Sequence, residues 1–193
     1  MRVVAFNCSP RKKGNTATMI HVVLEELENQ GISTELVQVG KKKIRGCIAC
    51  YLCREHKDSR CHAGKEGDIL NDCLAKMIEA DGIIIGSPTY FSNVSTEAKA
   101  LIDRAGMVSR VNGDLLKRKA GAAVIAARRG GAVAAFSAVN YFFLIGQMIV
   151  PGSTYWNFGY GMDPGEVEKD EEGIKTMKDL GVNMAWLLKR LKV

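Results

Sequence analysis

The sequence has only four prolines, three histidines and two tryptophans, and it contains no long hydrophobic run. A membrane-spanning helix needs about 20 consecutive apolar residues, so we expect no such helix and no membrane partner. The opening residues 1–7 also reach polar side chains too soon for a secretory signal peptide. These absences predict a cytoplasmic protein.

The net charge does not indicate a nucleic-acid-binding protein. The excess of +6 is local, with Lys41, Lys42 and Lys43 in one run, and no nucleic-acid-binding motif accompanies it. The chain is 47% hydrophobic and 25% charged, which is ordinary for a globular protein. Its 193 residues suffice for one domain with a sizeable core, so we expect a single domain over residues 1–193.

Cysteine, by contrast, is plentiful, and six cysteines in a cytoplasmic chain indicate metal or redox chemistry before disulfides. Four of them form a run with gaps of two, two and seven residues: Cys47, Cys50, Cys53 and Cys61. The spacing of the first three cysteines matches the ferredoxin motif that binds iron–sulfur clusters, whereas zinc sites more often use two pairs of cysteines that lie well apart in the sequence. The run favours an iron–sulfur site, with zinc and free thiols as alternatives and His56 or His62 as a substitute fourth ligand.

The other two cysteines, Cys8 and Cys73, fall on a strand end and on a helical apolar stripe, so we predict that both pack in the core. Basic residues surround the cysteine run and are expected to lower the pKa of its thiols. These residues are Lys41, Lys42, Lys43, Arg45, Arg54, Lys57 and Arg60.

Apolar patterning predicts five strands that alternate with helices. The strands are expected at 3–6, 34–39, 83–85 and 121–127, with a fifth beginning at Ile149–Val150; the helices are expected from about 15 to 31 and over 69–78, 95–105, 132–147 and 174–191. Such alternation indicates an α/β fold with a doubly wound, five-stranded parallel sheet and helices on both faces. The segment at about 40–68 shows no periodicity and holds the four cysteines, so we interpret it as a functional insertion loop.

Ligands in such sheets bind beyond the carboxyl ends of the strands. The loop Ser9–Thr16 follows the first strand and opens a helix, which makes it a candidate anion site. It lacks the P-loop and dinucleotide-binding glycine patterns, and Gly14 stands where a tyrosine phosphatase would have its arginine. The alternative is an ordinary helix cap formed by Asn15 and Thr16.

Two motifs resemble those of a known family, the flavodoxin-like NAD(P)H-dependent FMN reductases. They are Ser9-Pro10-Arg11 with Gly14-Asn15-Thr16, and Gly86-Ser87-Pro88-Thr89-Tyr90-Phe91. The cysteine run between them resembles the cluster motif of the iron–sulfur flavoproteins. The resemblance covers nearly the whole chain and implies a flavodoxin-like fold.

The resemblance also implies which residues bind the cofactors. The FMN phosphate is expected on Ser9, Arg11, Asn15 and Thr16. The flavin ring is expected against Pro88, Thr89, Tyr90, Phe91 and Asn93, with Arg128, Gly130 and Gly131 as a third loop. An aromatic side chain offers apolar area to a flat ring, although Tyr90 and Phe91 could instead be core residues. The cluster ligands are expected to be Cys47, Cys50, Cys53 and Cys61.

The function implied by this resemblance is FMN-dependent electron transfer, with a 4Fe–4S cluster, NAD(P)H as donor and a ferredoxin-type partner. No catalytic side chain is predicted, because the cofactors hold the reactive atoms. The alternatives are an NAD(P)H-dependent FMN or quinone reductase without a cluster, and a non-enzymatic metal- or redox-sensing module. The helix at 132–147 is apolar nearly all round, which predicts a homodimer or homotetramer.

Overall fold

The computed structural model describes residues 1–191, whose strands form one five-stranded parallel sheet in the order β2-β1-β3-β4-β5. The strands are β1 (Arg2–Asn7), β2 (Ser33–Gln38), β3 (Gly82–Pro88), β4 (Ala120–Ala127) and β5 (Phe158–Tyr160). The chain reverses its direction of travel across the sheet between β1 and β3, which is the switch point where such folds bind ligands. The predicted doubly wound parallel sheet is confirmed.

Six helices connect and cover the strands within residues 1–191: α1 (Asn15–Asn29), α2 (Leu52–His56), α3 (Leu70–Glu79), α4 (Thr96–Val111), α5 (Ala132–Ile145) and α6 (Glu171–Leu191). A short 3-10 turn, Glu166–Lys169, precedes α6. None of the helices in this part of the chain is long and apolar enough to cross a membrane.

Strand β1 shows how the two faces of the sheet become buried. Successive side chains of a strand point to opposite faces, and Val4 and Phe6 pack with α3, α4 and α5 while Val3 and Ala5 pack with α1 and α6. All four side chains are fully buried. A parallel sheet covered on both faces needs such continuous apolar runs, which is why β1, β3 and β4 were recognisable from sequence.

The fifth strand was predicted wrongly. Ile149 forms only an isolated bridge to Ala120, and the strand that completes the sheet is Phe158–Tyr160, paired with Ile125–Ala127. Pro151 follows the bridge at once, and a proline has no amide hydrogen to continue a ladder. The correction matters because the residues after the true β5 reach the ligand edge of the sheet.

One helix was not predicted, and two helix boundaries differ from the prediction. Helix α2 lies inside the cysteine segment, α6 begins at Glu171, and α4 continues beyond Ala105 to Val111. Gly106 lies within α4 at the point where Phe142 of α5 packs against the helix. A Cβ at position 106 would stand 3.3 Å from Cδ2 of Phe142. The absence of a side chain at Gly106 thus allows α4 and α5 to pack closely.

Candidate functional site

A cleft of about 190 Å³ opens at the carboxyl edge of the sheet. It is lined by Ser9, Arg11, Asn15, Thr16, Pro88, Thr89, Tyr90, Ala126, Ala127, Arg128, Gly161 and Met162. The loops after β1, β3, β4 and β5 all contribute, as expected for a doubly wound sheet. The cleft therefore brings together the two motifs that are far apart in the sequence.

Four of the predicted cofactor residues do not line this cleft: Phe91, Asn93, Gly130 and Gly131. Phe91 is fully exposed and has a φ of 47°, so it is not a core residue. Asn93 closes a tight turn, exchanging backbone hydrogen bonds of 2.8 and 3.0 Å with Tyr90. Phe91 and Asn93 thus shape the loop after β3 instead of lining the cleft.

Gly131 joins the loops after β3 and β4. Its φ is 85°, and a Cβ at this position would lie 2.7 Å from the Cα of Ser92. A positive φ together with this close backbone approach is tolerated only by glycine. The neighbouring loop therefore packs on Gly131, at the start of α5.

The end of the cleft beside α1 has the features of an anion site. The helix begins after Gly14, which has no side chain to cap it, so the first-turn amides stay available to a ligand. Asn15 does not serve as the cap: its Oδ1 accepts a hydrogen bond from the Gly165 amide at 2.9 Å. The side chain of Ser9 accepts one from the Arg11 amide at 3.2 Å. The alternative of an ordinary cap by Asn15 and Thr16 is wrong.

Sequence reasoning missed the contribution of the loop after β5. Arg11 Nη1 donates to the Met162 carbonyl at 2.9 Å, and a Cβ on Gly161 would stand 2.7 Å from Asn15 Nδ2. This loop closes the end of the cleft beside α1. It was missed because the fifth strand had been placed eight or nine residues too early, at Ile149–Val150 instead of Phe158.

Thr89 carries a polar atom that the protein itself leaves unsatisfied. Its amide donates to the Ala126 carbonyl at 2.8 Å, but its buried Oγ1 has no hydrogen-bond partner among residues 1–191. An unpaired buried hydroxyl costs about 1–3 kcal/mol. A polar ligand in the cleft, which Thr89 lines, would remove that cost.

A second cavity, of about 220 Å³, contains all four cysteines of the run in its wall. Its lining is Cys47, Ala49, Cys50, Tyr51, Cys53, Cys61, His62, Ala63, Asp103, Arg104, Met107 and Val108. The cysteine segment supplies one side and α4 the other. We call it the cysteine cavity.

Two asparagines fix the backbone of the cysteine segment. Asn71 of α3 accepts a hydrogen bond from the Cys61 amide at 2.8 Å and donates to the Cys61 carbonyl at 3.0 Å. Asn112, at the end of α4, donates to the Cys53 carbonyl at 3.2 Å and accepts from the Ser59 amide at 3.1 Å. Both asparagines bind backbone only, so they hold the loop while leaving its sulfur atoms free.

The cysteine cavity is not arranged for a single metal ion. Within residues 1–191, no group of three or more Cys, His, Asp or Glu side chains is placed to hold one. Zinc would need its thiolates about 2.3 Å from a common point. His62 lines the cavity but its Nε2 lies 3.1 Å from Asp58, and His56 stacks on it with a 4.3 Å ring-centroid distance. The geometry thus gives no support to the zinc alternative.

Burial is the largest electrostatic influence on the Cys53 thiol. It raises the pKa of Cys53, and the neighbouring Cys61 and Cys50 raise it further. The expectation that basic residues lower the pKa is wrong for this cysteine, because most of them are solvent-exposed, where water screens their charge. Cys8 and Cys73 are buried as predicted, and burial raises the pKa of Cys73 to about 12.

Arg104, which lines the cysteine cavity, forms a buried ion pair that was not predicted. Arg104 Nη1 lies 2.7 Å from an Asp68 carboxylate oxygen, and the two side chains are 1% and 5% exposed. Burial would raise the pKa of Asp68, but hydrogen bonds from Arg104 and from two backbone amides outweigh it, so that pKa is lowered. Arg104 Nε also donates to Cys61 Sγ at 3.3 Å.

The fold and the cleft define a flavodoxin-like protein, and two solved structures share its architecture. RosB, solved with bound 8-demethyl-8-formylriboflavin-5'-phosphate, gives a TM-score of 0.77 at 19% identity, covering 100% of this chain and 80% of that one. An archaeal flavodoxin gives a TM-score of 0.63 at 15% identity, covering 98% and 99%.

Residues 1–163 match the NADPH-dependent FMN reductase family. An iron–sulfur flavoprotein of Methanocaldococcus jannaschii is 36% identical over 100% of both chains. Another, of Archaeoglobus fulgidus, is 34% identical over 93% of this chain and 92% of its own. The chain belongs to the NADPH-dependent FMN reductase family, within the group of the iron–sulfur flavoproteins, and it is an FMN-dependent oxidoreductase.

Proposed function

We propose that this protein transfers electrons between FMN, bound in the cleft at the sheet edge, and a 4Fe–4S cluster bound in the cysteine cavity. The observation that carries the proposal is that one cavity is lined by all four cysteines of the run. Four thiols are the usual ligand set of such a cluster. The names of the curated relatives support the same assignment.

The cleft residues fit the chemistry of FMN. The uncapped start of α1, with Ser9 and Thr16 at its side, suits a phosphate, and Arg11 adds a positive charge. At the other end, Thr89 Oγ1 offers an unused donor and acceptor to the polar edge of the ring, while the half-exposed Tyr90 offers apolar area. When bound, FMN can exchange either a hydride or single electrons, whereas a cluster exchanges single electrons.

The electron donor and acceptor are part of the proposal. The exposed Arg128 at the cleft suits the phosphate groups of NAD(P)H, and the exposed basic residues of the cysteine segment suit an acidic, ferredoxin-type carrier. Anaerobic reduction assays with NADPH and with reduced ferredoxin distinguish the two donors. Failure of both to reduce the protein would contradict this part of the proposal.

An NAD(P)H-dependent FMN or quinone reductase without a cluster is the second candidate. The half-buried Cys61 and the exposed Cys47 and Cys50 could remain free thiols. The third alternative, a non-enzymatic sensing module, is disfavoured by the match of residues 1–163 to an FMN reductase family.

The decisive experiment is to quantify the cofactors of protein purified without oxygen. We expect about one FMN and about four iron and four sulfide per chain, with flavin absorption superimposed on a broad cluster band. Flavin without iron would overturn the cluster assignment and leave the simple reductase. Iron without flavin would instead contradict the cleft assignment.

Replacing Thr89 by valine tests the flavin end of the cleft. Because Oγ1 is buried without a protein partner, the Thr89→Val apoprotein should have a Tm equal to or above that of the wild type, while its Kd for FMN should rise about 2- to 10-fold through loss of one hydrogen bond. Flavin fluorescence quenching measures the Kd. Thr154→Val, which removes a hydroxyl bonded to Asp179 away from the cleft, is the control. An unchanged Kd in Thr89→Val would contradict the assigned role.

We also propose that the chain forms a homodimer or homotetramer through α5. Tyr141, Leu144 and Ile145 are each more than half exposed, and an apolar groove between α4 and α5 adjoins them. Contiguous exposed apolar surface of this kind marks an interface, and a second copy is the occupant proposed. Analytical ultracentrifugation measures the mass of the particle in solution, and a mass equal to that of one chain would contradict this proposal.

A further inference from the structure

Arg104 is the largest fully buried side chain of the described residues, and it occupies an apolar face of α4. The neighbouring positions on this face, Leu101, Ala105 and Val108, all belong to the hydrophobic core. A buried guanidinium is costly unless its charge and all its donors are used. Its retention at this position therefore calls for an explanation beyond packing.

The hydrogen bonds of Arg104 lead into the cysteine cavity. Nη1 bonds to the carboxylate of Asp68, with 2.7 and 3.0 Å contacts, and to the Arg45 carbonyl at 3.1 Å. Nε donates to Cys61 Sγ at 3.3 Å, and the residue forms part of the cavity wall. Arg104 thus connects the backbone of the cysteine segment, one of its sulfur atoms and a buried carboxylate.

One donor of Arg104 remains unused. Nη2 is buried and has no hydrogen-bond partner in the part of the chain that the structure describes. A neutral thiol is a weak acceptor, whereas sulfur atoms carrying negative charge accept strongly from a guanidinium. A negatively charged sulfur-bearing group in the cavity would be a stronger acceptor for Nε than a neutral thiol is, and Nη2 is a further unused donor on the same guanidinium.

We propose that Arg104 is a positioning residue that holds Cys61 in place and raises the reduction potential of a cluster in the cysteine cavity, with Asp68 opposing its charge. One-electron reduction adds one negative charge at the cavity. A nearby buried cation and N–H···S hydrogen bonds stabilise that added charge, and the buried carboxylate destabilises it. This inference rests on the cluster assignment proposed above.

The test is a pair of charge-removing substitutions with expected effects of opposite sign on the midpoint potential. Arg104→Gln removes the positive charge and should make reduction at least tenfold less favourable, about 59 mV for one electron. Asp68→Asn removes the opposing charge and should shift the midpoint potential upward by a similar amount. Potentials are measured by anaerobic titration followed by electron paramagnetic resonance, with iron counted per chain.

The controls separate a charge effect from general damage. Lys175→Gln also removes one positive charge, but from an exposed ion pair on α6, and should leave the potential unchanged. Arg104→Lys keeps the positive charge, so its midpoint potential should lie close to that of the wild type and above that of Arg104→Gln. A merely structural role of Arg104 would not predict this difference between the two variants.

Each outcome decides the inference. Wild-type protein without iron would overturn both the cluster assignment and the role of Arg104. Iron-loaded Arg104→Gln with the wild-type potential would overturn only the role of Arg104. If that variant does not fold, Asp68→Asn decides: an upward shift supports the inference, and an unchanged potential overturns it.

Discussion

Replacement of Gly40 by alanine is expected to abolish FMN binding and to destabilise the domain by about 3 kcal/mol. Gly40 is buried directly after β2, and a Cβ placed on it would stand 2.0 Å from the carbonyl oxygen of Ser9 and 2.2 Å from its carbonyl carbon. No heavy atoms can approach so closely without a bond. The backbone of the loop after β1 would therefore have to move.

That loop has little freedom to move. The Ser9 carbonyl accepts a hydrogen bond from Gln38 Nε2 at 2.8 Å, and the amides of Val39 and Gly40 both donate to the Asn7 carbonyl. Displacing Ser9 breaks contacts on both sides and shifts the start of the anion site. Overpacking typically costs about 1–3 kcal/mol, and a clash between backbone atoms belongs at the upper end.

Chemical unfolding and flavin titration of Gly40→Ala measure the two effects. Gly152→Ala is the matched control, because a Cβ on Gly152 meets nothing within 4 Å, and it should resemble the wild type in both assays. Retention of wild-type FMN affinity by Gly40→Ala would show that the loop after β1 does not position the cofactor.

Replacement of Cys50 by serine is expected to have the second large effect, the loss of the cluster. Cys50 is exposed on the rim of the cysteine cavity, so the change should leave the fold and FMN binding intact. Loss of a residue that supports a metal ligand typically costs 10- to 100-fold in affinity, and loss of the ligand itself should cost at least about as much. We expect iron and sulfide to fall below a tenth of the wild-type content.

Cys73→Ala provides the matched control for Cys50→Ser. It removes a thiol on the buried face of α3, and this thiol does not line the cavity. This variant should lose some stability because a core atom is deleted, yet keep its iron. Full iron in Cys50→Ser would mean that Cys50 is not a ligand, and iron loss in both variants would indicate damage to the fold.

The parts of the fold that were predictable are those whose burial is continuous. Strands β1 and β3 are short apolar runs because both faces of the sheet are covered. Strand β5 consists of only Phe158, Gly159 and Tyr160, which show no apolar run. Ile149–Val150 looked more like a strand but lies just before Pro151. The local sequence does not distinguish these two segments, because pairing with β4 determines which of them becomes the fifth strand.

The candidate site was predictable where residues follow a strand closely. The loops after β1 and β3 begin at strand ends, so their meeting in one cleft follows from the parallel sheet. Met162 was missed because its strand was misplaced. The burial of Arg104 could have been predicted from the sequence, because Arg104 stands three residues after Leu101 and four before Val108, on the apolar stripe of α4. A charge on such a stripe predicts a buried ion, but its partner, Asp68, is 36 residues away.

The anchoring of the cysteine segment by Asn71 and Asn112 bears on how the protein matures. Asn71 bonds to both main-chain groups of Cys61, and Asn112 bonds to main-chain groups of Cys53 and Ser59, so α3 and α4 fix this half of the loop. If the proposed cluster binds here, the protein's own helices would set the backbone positions of two of its four ligands. Assembly of the cluster would then require iron and sulfide more than rearrangement of this half of the loop.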